Sequence, residues 1–504
     1  MKNWPECQRQ IDCTMDSGYW CFSFPRLRQT EPSKNCLCPD CLLNRIAIEI
    51  NHGFYDPDAD ELLFIRKLGI SEKLIPDIDY YINEDSNFVF IKCFHQYRGI
   101  IAITHANIVF INNFEMDFIL NEEQLMIQDA ARDFAQNELK NGVIDRDTHK
   151  QHPTEQIRQM GELGFMGMLV KPEYGGTGMD TLSYVLAIEE ISKVDNSCSV
   201  AMSVQNSLVC SGIQAYASEE LKQKYLPQLA SGEVIGAFLL SEPEAGSDAT
   251  SQRTTAEDKG DHYIINGTKN WITNGKHAGV YIVIAQTDPE KGHKGINAII
   301  VDADSGGVTT GELEDKLGIR SSDTCSVMFQ DVKVPKSNRI GEDGFGFNFA
   351  MKVLNGGRIG IAAQALGIAG GAYELAVTYS HEREAFGKTI NRHQAVAFKL
   401  ADMSVKVETA KMMVYRAAWL KDNGMAYDQA SAMAKLYASD IAQSVTSEAV
   451  QVHGGYGYVK EYHVERLLRD AKITQIYEGT SEIQKIVISR NIIKGELYLP
   501  FEKL

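Results

Sequence analysis

Glu478 is the residue of this sequence whose type and neighbours best suit acid–base chemistry. It lies in residues 475–484, QIYEGTSEIQ, between an aromatic residue and a Gly-Thr-Ser run. A carboxylate is a weak base in water, but burial in a water-poor pocket can raise its pKa towards neutral pH. The segment therefore predicts a general base, and the alternative interpretation is a surface carboxylate at the start of a helix.

Four further segments contain residue types that suit ligand binding. They are residues 238–249 (FLLSEPEAGSDA), 270–275 (NWITNG), 383–390 (REAFGKTI) and 451–458 (QVHGGYGY). The guanidinium of Arg383 suits phosphate by charge and geometry, and Gly454 and Gly455 would leave room for a closely bound cofactor. Taken singly, each segment has an ordinary interpretation: a turn, a buried strand aromatic, a charge on a solvated helix and a helix-breaking loop.

Taken together and in this order, the five segments resemble the acyl-CoA dehydrogenases, from about Met116 to Lys494. The resemblance implies an α+β fold with an N-terminal helical domain, a central β-barrel-like domain and a C-terminal four-helix-bundle domain. Here these are preceded by a small cysteine-rich segment. It also implies FAD as the cofactor and an acyl-CoA as the substrate. Glu478 would take the C2 proton, the C3 hydrogen would leave as a hydride to flavin N5, and the backbone amide of the base would help to bind the thioester carbonyl.

The resemblance also implies binding roles for individual residues. Trp271 would cover the flavin, Thr273 would lie beside its N5, and Arg383 with Gln394 would hold the pyrophosphate and adenosine part from the neighbouring subunit. The residues implied in FAD binding are Phe238, Leu240, Ser241, Trp271, Thr273, Arg383, Gln394, Gln451, Gly454, Gly455, Thr480 and Glu482. Those implied in substrate binding are Ser247, Asn355, Arg358 and Gly479, and no metal ligand is implied in the enzyme body.

The helix that contains Asn355 and Arg358 indicates the substrate class. The family usually has Asp where this chain has Asn355, so the expected contact of that residue with CoA loses a charge. In the isovaleryl- and long-chain branches the base lies on this helix, where this chain has Gly357. A base at Glu478 therefore favours a straight, short acyl chain of the butyryl type. The alternatives are a branched-chain acyl-CoA dehydrogenase and an acyl-CoA oxidase.

The reduced flavin needs an electron acceptor. The resemblance implies electron-transfer flavoprotein, a homotetramer and a role in fatty acid β-oxidation. The chain lacks the extra C-terminal domain expected of long acyl-CoA oxidases, which favours a dehydrogenase over an oxidase. A reading from a different class is a metal-binding interaction protein that acts through residues 1–115.

Helices and strands must position these residues. Residues 116–235 follow a helical pattern, in which Asn121 is the predicted N-cap before an acidic first turn. Residues 236–342 change to a strand pattern, in which Asn266-Gly267 predicts a hairpin turn. Residues 343–496 return to long, Ala- and Leu-rich helices. The order helix, sheet, helix is also the domain order that the resemblance implies.

Residues 1–115 differ from the rest of the chain. Seven of the ten cysteines lie before residue 94, and six of these are close together: Cys7, Cys13, Cys21, Cys36, Cys38 and Cys41. Close-spaced thiolates suit tetrahedral zinc, and the alternative is a reduced cluster without metal. The stretch resembles small bacterial cysteine-rich domains.

The junction at residues 101–112, IAITHANIVFIN, supports a hypothesis about the origin of this segment. One permitted codon choice for these residues, read two bases further on, encodes Cys-Asn-Asn-Ser-Cys-Lys-Tyr-Cys-Leu-Tyr and then a stop. That is the kind of ending expected of a small metal-binding module. We therefore hypothesise that residues 1–115 are a separate upstream gene product, fused to the enzyme by a frameshift.

Composition limits the remaining function classes. The formal net charge of the 504 residues is -17 and no long basic stripe offsets it, so nucleic acid is not an expected partner. The sequence has no run of about twenty apolar residues, so no membrane span is expected. The N-terminus MKNWPECQRQ lacks the apolar core of a secretory signal. The main body has few cysteines, which predicts a reduced, cytoplasmic protein.

Overall fold

The computed structural model describes residues 119–494, together with the backbone of four strands nearer the N-terminus. The chain divides into two compact units, residues 1–119 with 499–504, and residues 120–498. The first unit contains a four-stranded antiparallel sheet in the order β1-β2-β3-β4. Its strands are β1 Ile78–Ile82, β2 Phe88–Cys93, β3 Ile100–Thr104 and β4 Ile108–Ile111. The six clustered cysteines and the zinc predicted there lie outside the described residues.

Helices form the first part of the second unit. They are α1 Glu122–Phe134, α2 Val143–His149, α3 Thr154–Glu162, α4 Thr181–Ser192, α5 Asn196–Ser203, α6 Ser211–Tyr216 and α7 Glu219–Ala230. The predicted N-cap of α1 is confirmed, because Asn121 Oδ1 accepts a hydrogen bond of 2.8 Å from the Gln124 N–H. Gln124 Oε1 in turn accepts a hydrogen bond of 3.1 Å from the Asn121 N–H, which completes a capping box.

A twisted sheet follows the helices. Its strands are β5 Gly236–Leu239, β6 Thr255–Asp258, β7 His262–Thr273, β8 Val280–Gln286, β9 Ile296–Asp302, β10 Val308–Thr310, β11 Thr324–Pro335 and β12 Arg339–Ile340. Seven strands run in the order β10-β11-β7-β6-β8-β9-β12, and β5 pairs with β8 in parallel. Alternate residues of β8 and β9 face two different cores, which is why both strands are apolar along their whole length.

The predicted hairpin at Asn266-Gly267 is wrong, because both residues lie inside the continuous strand β7. The register with β11 shifts between Phe329 and Val332 at this point, and the Asn266 side chain bonds Asp331 in the extra stretch. Gly267 has φ 146°, and a Cβ there would lie 2.5 Å from Thr254 Oγ1. Asn-Gly therefore serves a β-bulge here, which needs the same conformational freedom as a turn.

Long helices complete the unit: α8 Gly346–Glu382, α9 Gln394–Asp422, α10 Asp428–His453, α11 His463–Ala471 and α12 Ser481–Ile493. A short hairpin, β13 Glu384–Ala385 with β14 Lys388–Thr389, joins α8 to α9. Among the residues described, α8 alone is long and apolar enough to pass a composition test for a membrane span. The tested window is 83% buried within the protein, as expected of a central helix in a bundle.

Three hydrophobic cores hold these elements, and one of them brings the site together. It combines residues of α5 to α7, β8, β9 and the start of α8. Phe238 and Leu240 from the region of β5 pack against it, as does Tyr477 from the loop before α12. The segments around residues 238 and 478, which the sequence analysis identified, thus pack against the same core.

Candidate active site

The loop that carries Glu478 joins a 3₁₀ turn, Lys472–Gln475, to α12. Thr480 is the N-cap of α12 and accepts a hydrogen bond of 3.3 Å from the Ile483 N–H. Glu478 has φ 51° and Gly479 has φ 93°. A left-handed backbone is unfavourable for a residue with a side chain, by roughly 1–2 kcal/mol. Because Glu478 adopts it, surrounding contacts must hold the loop in place.

The Glu478 carboxylate points at α8. A Cβ built on Gly357 would lie 2.2 Å from Glu478 Oε2 and 2.7 Å from Leu208 Cδ2. The residue as a whole is half-buried, but Oε2 is inaccessible to water and has no hydrogen-bond partner among the described residues. The alternative interpretation of Glu478 as a surface carboxylate at a helix start is therefore wrong, because its side chain points into the protein.

Two buried cations lie near Glu478. Burial raises the pKa of Glu478 to about 7, and the charges of Lys435 and Arg358 act in the opposite direction. Arg358 is 5% exposed, and its Nη1 donates a hydrogen bond of 2.6 Å to Asn355 Oδ1. A carboxylate whose pKa lies near neutral pH, in a partly dry pocket, is suited to general base catalysis.

Sequence reasoning missed Lys435, which is fully buried on α10. Burial lowers the pKa of Lys435, and the nearby Glu478 charge opposes that shift. Its Nζ donates hydrogen bonds to the carbonyls of Tyr477 and Gly479, on either side of the base. A lone Lys in the Ala-rich stretch SAMAKLYASD was the available signal, since a cation inside an apolar helix face needs a partner.

A second missed group supports the same loop from α8. The Tyr477 hydroxyl donates to Gln364 Oε1, and Gln364 Nε2 donates to Ser199 Oγ at 3.0 Å. Gln364 is fully buried. These bonds connect the loop to α5 and limit its movement.

The residues expected at the flavin ring gather at one end of the sheet. Phe238 lies in β5, and Trp271 and Thr273 lie at the C-terminal end of β7. The Asn270 N–H donates a hydrogen bond of 2.9 Å to the Ser241 carbonyl, which places Ser241 beside Trp271. Trp271 is 60% exposed and has φ 62°. A large aromatic side chain held exposed in an uncommon backbone conformation is typical of a ligand-binding position.

A buried ion pair supports this end of the sheet. Lys269 is fully buried, and its Nζ donates to Glu242 Oε1 at 2.7 Å and to the Leu240 carbonyl at 3.1 Å. Glu242 also accepts hydrogen bonds from the backbone N–H groups of Arg253 and Thr254. The pair ties residues 240–242 to β7, and sequence reasoning did not find it.

Arg383, Gly454 and Gly455 meet in a separate open pocket of about 500 Å³. Tyr379 and His453 stack in its wall at 4.3 Å, and Arg383 lies 5.7 Å from the centre of the Tyr456 ring. A Cβ on either glycine would meet nothing within 4 Å, so both glycines face open space. A guanidinium, bare backbone and aromatic rings fit the pyrophosphate and base of a nucleotide cofactor.

The remaining predicted residues lie on the surface or beside these groups. Gly479 and Thr480 adjoin the base, and Asn355 lies beside Arg358. Ser247, Gln394, Gln451 and Glu482 are exposed, and Glu482 lies in the first turn of α12, where its charge acts on Lys435. Their ligand roles stay predictions.

Comparison with known proteins assigns this fold to one enzyme class. Family models match three segments: "Acyl-CoA dehydrogenase, N-terminal domain" at residues 121–233, the middle domain at 237–332 and the C-terminal domain at 344–493. The chain belongs to the acyl-CoA dehydrogenase family, and the three-domain fold implied by the sequence resemblance is confirmed.

Individual relatives match over the same share of the chain. A short-chain specific acyl-CoA dehydrogenase of Clostridium acetobutylicum is 50% identical over 379 residues, which are 75% of this chain and 100% of the relative. The solved butyryl-CoA dehydrogenase of Megasphaera elsdenii is 46% identical with a TM-score of 0.74, covering 75% of this chain and 100% of that one. A chain from a structure described as the electron transferring flavoprotein of Acidaminococcus fermentans is 50% identical, with the same TM-score of 0.74 and the same coverage.

Proposed function

We propose that this protein is an FAD-dependent dehydrogenase of short-chain acyl-CoA thioesters, forming the trans-2-enoyl-CoA. The observation that carries the proposal is the Glu478 carboxylate, whose Oε2 is shielded from water, has no hydrogen-bond partner and is placed against Gly357. Its pKa of about 7 leaves a large fraction ionised at neutral pH. A free carboxylate in a dry pocket is ready to accept a proton from a weak carbon acid.

FAD, when bound, supplies the acceptor for the C3 hydride. The protein supplies the rest of the chemistry. Glu478 takes the C2 proton, and the nearby charges of Lys435 and Arg358 keep part of the carboxylate population ionised despite burial. The Glu478 backbone N–H makes no hydrogen bond to another described residue, so it is free to donate to the thioester carbonyl. Such a donor stabilises the negative charge that develops on that oxygen.

The side chains present fit FAD in two places. Phe238, Ser241, Trp271 and Thr273 form a partly apolar surface at the sheet end, next to the core that contains Tyr477. The pocket with Arg383 and the two glycines has the charge and the open space that a pyrophosphate needs. The second place would serve a cofactor bound by a neighbouring subunit, consistent with the proposed homotetramer.

The substrate class follows from the position of the base. Gly357 leaves the space into which the Glu478 carboxylate fits, and an acidic residue at position 357 could not coexist with it. This arrangement supports a straight, short acyl chain, which is also the substrate named for the relatives from Clostridium acetobutylicum and Megasphaera elsdenii.

Electron-transfer flavoprotein is the proposed electron acceptor, and the cytoplasm is the proposed location. The likeness to a chain in a structure described as an electron transferring flavoprotein supports the first. Cys198, Cys210 and Cys325 are all unpaired and buried, which supports a reducing compartment. The domain limits 1–115, 116–235, 236–342 and 343–496 are proposed with this assignment.

The visible spectrum of the purified protein, before and after anaerobic butyryl-CoA, tests the proposal. We expect flavin absorbance that bleaches on addition, and no bleaching after Glu478→Gln. A yellow protein that bleaches only with branched acyl-CoA would replace the short-chain assignment. Rapid reoxidation by oxygen in place of an artificial acceptor would indicate an oxidase. A colourless protein that takes up no FAD would refute the proposal.

A further inference from the structure

Three consecutive backbone carbonyls around the base accept hydrogen bonds from two buried side chains. Lys435 Nζ donates to the Tyr477 carbonyl at 2.9 Å and to the Gly479 carbonyl at 2.5 Å. Gln484 Nε2 donates to the Gly479 carbonyl at 2.8 Å and to the Glu478 carbonyl at 3.4 Å. Both side chains are fully buried. A buried ammonium group is costly, so its place here requires a reason.

Peptide geometry connects these carbonyls to the chemistry. The described chain contains no cis peptide bond, so the Tyr477 C=O and the Glu478 N–H lie at opposite sides of one rigid plane. When Lys435 fixes the carbonyl end of this plane, it also fixes the direction of the N–H. That N–H has no partner in the described protein and is left for a ligand.

The loop would not hold this conformation by itself. Glu478 and Gly479 both have positive φ, and the first carries a side chain. A Cβ at Gly479 would lie 2.7 Å from Gln484 Nε2, so the second donor also requires the glycine. Lys435 and Gln484 therefore select one orientation of three successive peptide planes.

We propose that Lys435 and Gln484 are positioning residues for the dehydrogenation, which aim the Glu478 N–H at the thioester carbonyl while its carboxylate faces C2. This inference rests on the proposed function. A donor bonded to the Tyr477 carbonyl also polarises the peptide group, which strengthens hydrogen bonding by the N–H at its other end. A purely structural role would predict loss of stability without a selective loss of the chemical step.

Replacement of each donor by a side chain of similar length separates these roles. The variants are Lys435→Met and Gln484→Met, with Lys435→Gln as a shorter, uncharged side chain that still carries an N–H donor. The matched control is Asn338→Leu, which removes a buried amide that donates at 2.9 Å to the Ile300 carbonyl in the sheet. FAD content and melting temperature of each full-length holoenzyme are measured first.

The decisive measurement is the rate of anaerobic flavin bleaching against butyryl-CoA concentration. We expect Lys435→Met and Gln484→Met to lower the limiting rate about 10- to 100-fold, as for a misplacement of about 1 Å. The half-saturating concentration should change less than about threefold, because both substitutions leave the predicted substrate residues Ser247, Asn355 and Arg358 in place. Lys435→Gln should be intermediate, and Asn338→Leu should keep the wild-type rate even where its melting temperature falls.

The pH profile separates the two positioning residues from each other. Lys435→Met removes a positive charge beside Glu478, so the acid limb of the limiting rate should move to higher pH. Gln484→Met removes no charge and should leave that limb in place. The ionisable groups that face Glu478 and Lys435 are Arg358, Tyr184, Tyr477, Asp440 and Glu482.

The outcomes distinguish this inference from the proposed function. If wild-type protein bleaches, Glu478→Gln does not, and both Met variants bleach at the rate of Asn338→Leu, then the positioning role is wrong and the proposed function stands. If wild type and Glu478→Gln bleach alike, both the positioning role and the proposed function are wrong. If Lys435→Met does not fold, the bleaching rates of Gln484→Met and Lys435→Gln are compared with that of Asn338→Leu instead.

Discussion

Gly357→Ala should separate the activity of this protein from its stability. Gly357 lies inside α8, where a Cβ would come within 2.2 Å of Glu478 Oε2 and 2.7 Å of Leu208 Cδ2. Both atoms are the ends of side chains, so the protein can accommodate the methyl group by moving them. The carboxylate oxygen must then retreat by roughly 1 Å to reach an ordinary contact distance of 3.4 Å.

The two consequences differ in size. Replacement of Gly by Ala inside a helix stabilises the fold by about 0.5–1 kcal/mol, which offsets part of the strain from moving two side-chain ends. We therefore expect the melting temperature to change by only a few degrees. A base displaced by about 1 Å should slow proton transfer on the order of 100-fold. Activity should fall while the fold and the FAD content stay intact.

Gly370→Ala on the same helix is the matched control. A Cβ there would meet only Lys193 Cε at 3.5 Å, which is an ordinary contact. The assay is anaerobic flavin bleaching by butyryl-CoA, with melting temperature measured in parallel. Gly370→Ala should keep the wild-type rate. If Gly357→Ala retains more than about a third of that rate, or if both variants lose activity equally, the placement of the base against Gly357 is refuted.

Four further predictions use Glu478 and the other groups of the site. The acid limb of kcat/KM should have a pKa near 7, because burial raises the pKa of Glu478. A limb near pH 4.5 in a pH–rate series would contradict this. Because the pKa of Glu478 in the folded protein exceeds its ordinary value of 4.5, Glu478 destabilises the fold progressively from pH 4.5 to 7. Glu478→Gln should therefore unfold with a free energy higher than wild type by on the order of 2–3 kcal/mol above pH 7 and by little below pH 4.5, measured in urea. Arg383→Gln should bind FAD at least about tenfold more weakly in an apoenzyme titration, and the melting temperature of the apoenzyme should be unchanged because the side chain is exposed. Lys269→Met should cost about 3–5 kcal/mol in urea unfolding, because it leaves the buried Glu242 unpaired, and a loss below about 1 kcal/mol would contradict a charged pair at this position.

The sequence predicted the order helix, sheet, helix and singled out Glu478, because both inferences depend on local patterns. Glu478 stands beside a glycine in a segment with a recognisable order of residues, and helical and strand periods are visible in any window of the chain. The Asn266-Gly267 prediction failed for the same reason. Two residues that can adopt positive φ suit a turn and a β-bulge equally well, and only the pairing of β7 with β11 decides between them.

Lys435 and Gln364 show what a linear pattern cannot reveal. Each lies in a long helix far from residue 478 in sequence, and each acts on the loop through a partly buried hydrogen bond. Helical periodicity assigns such positions to the core face but says nothing about which polar group they will meet. Their partners are set by the packing of α8 and α10 against the loop, which is tertiary information.

Burial and a raised pKa do not by themselves distinguish the proposed base from other carboxylates in this protein. Asp470 is 1% exposed and burial also raises its pKa. It accepts hydrogen bonds from Arg466 at 3.0 Å, from Asn196 at 3.1 Å and from the Ile319 N–H at 2.5 Å. Each of its oxygens is thus occupied, and the residue joins three parts of the fold.

The absence of a partner distinguishes Glu478 from the buried acidic residues within residues 119–494. The other buried acidic residues there all have a cation or a hydrogen-bond donor: Asp147, Glu189, Glu190, Asp195, Glu242, Asp323 and Asp470. The Glu478 side chain makes no hydrogen bond in this part of the chain, and its Oε2 is shielded from water as well. An unpaired buried oxygen is unfavourable in the free protein, because its lost hydration is not replaced. The surrounding fold maintains it, which is the departure from local stability that is expected at a functional site.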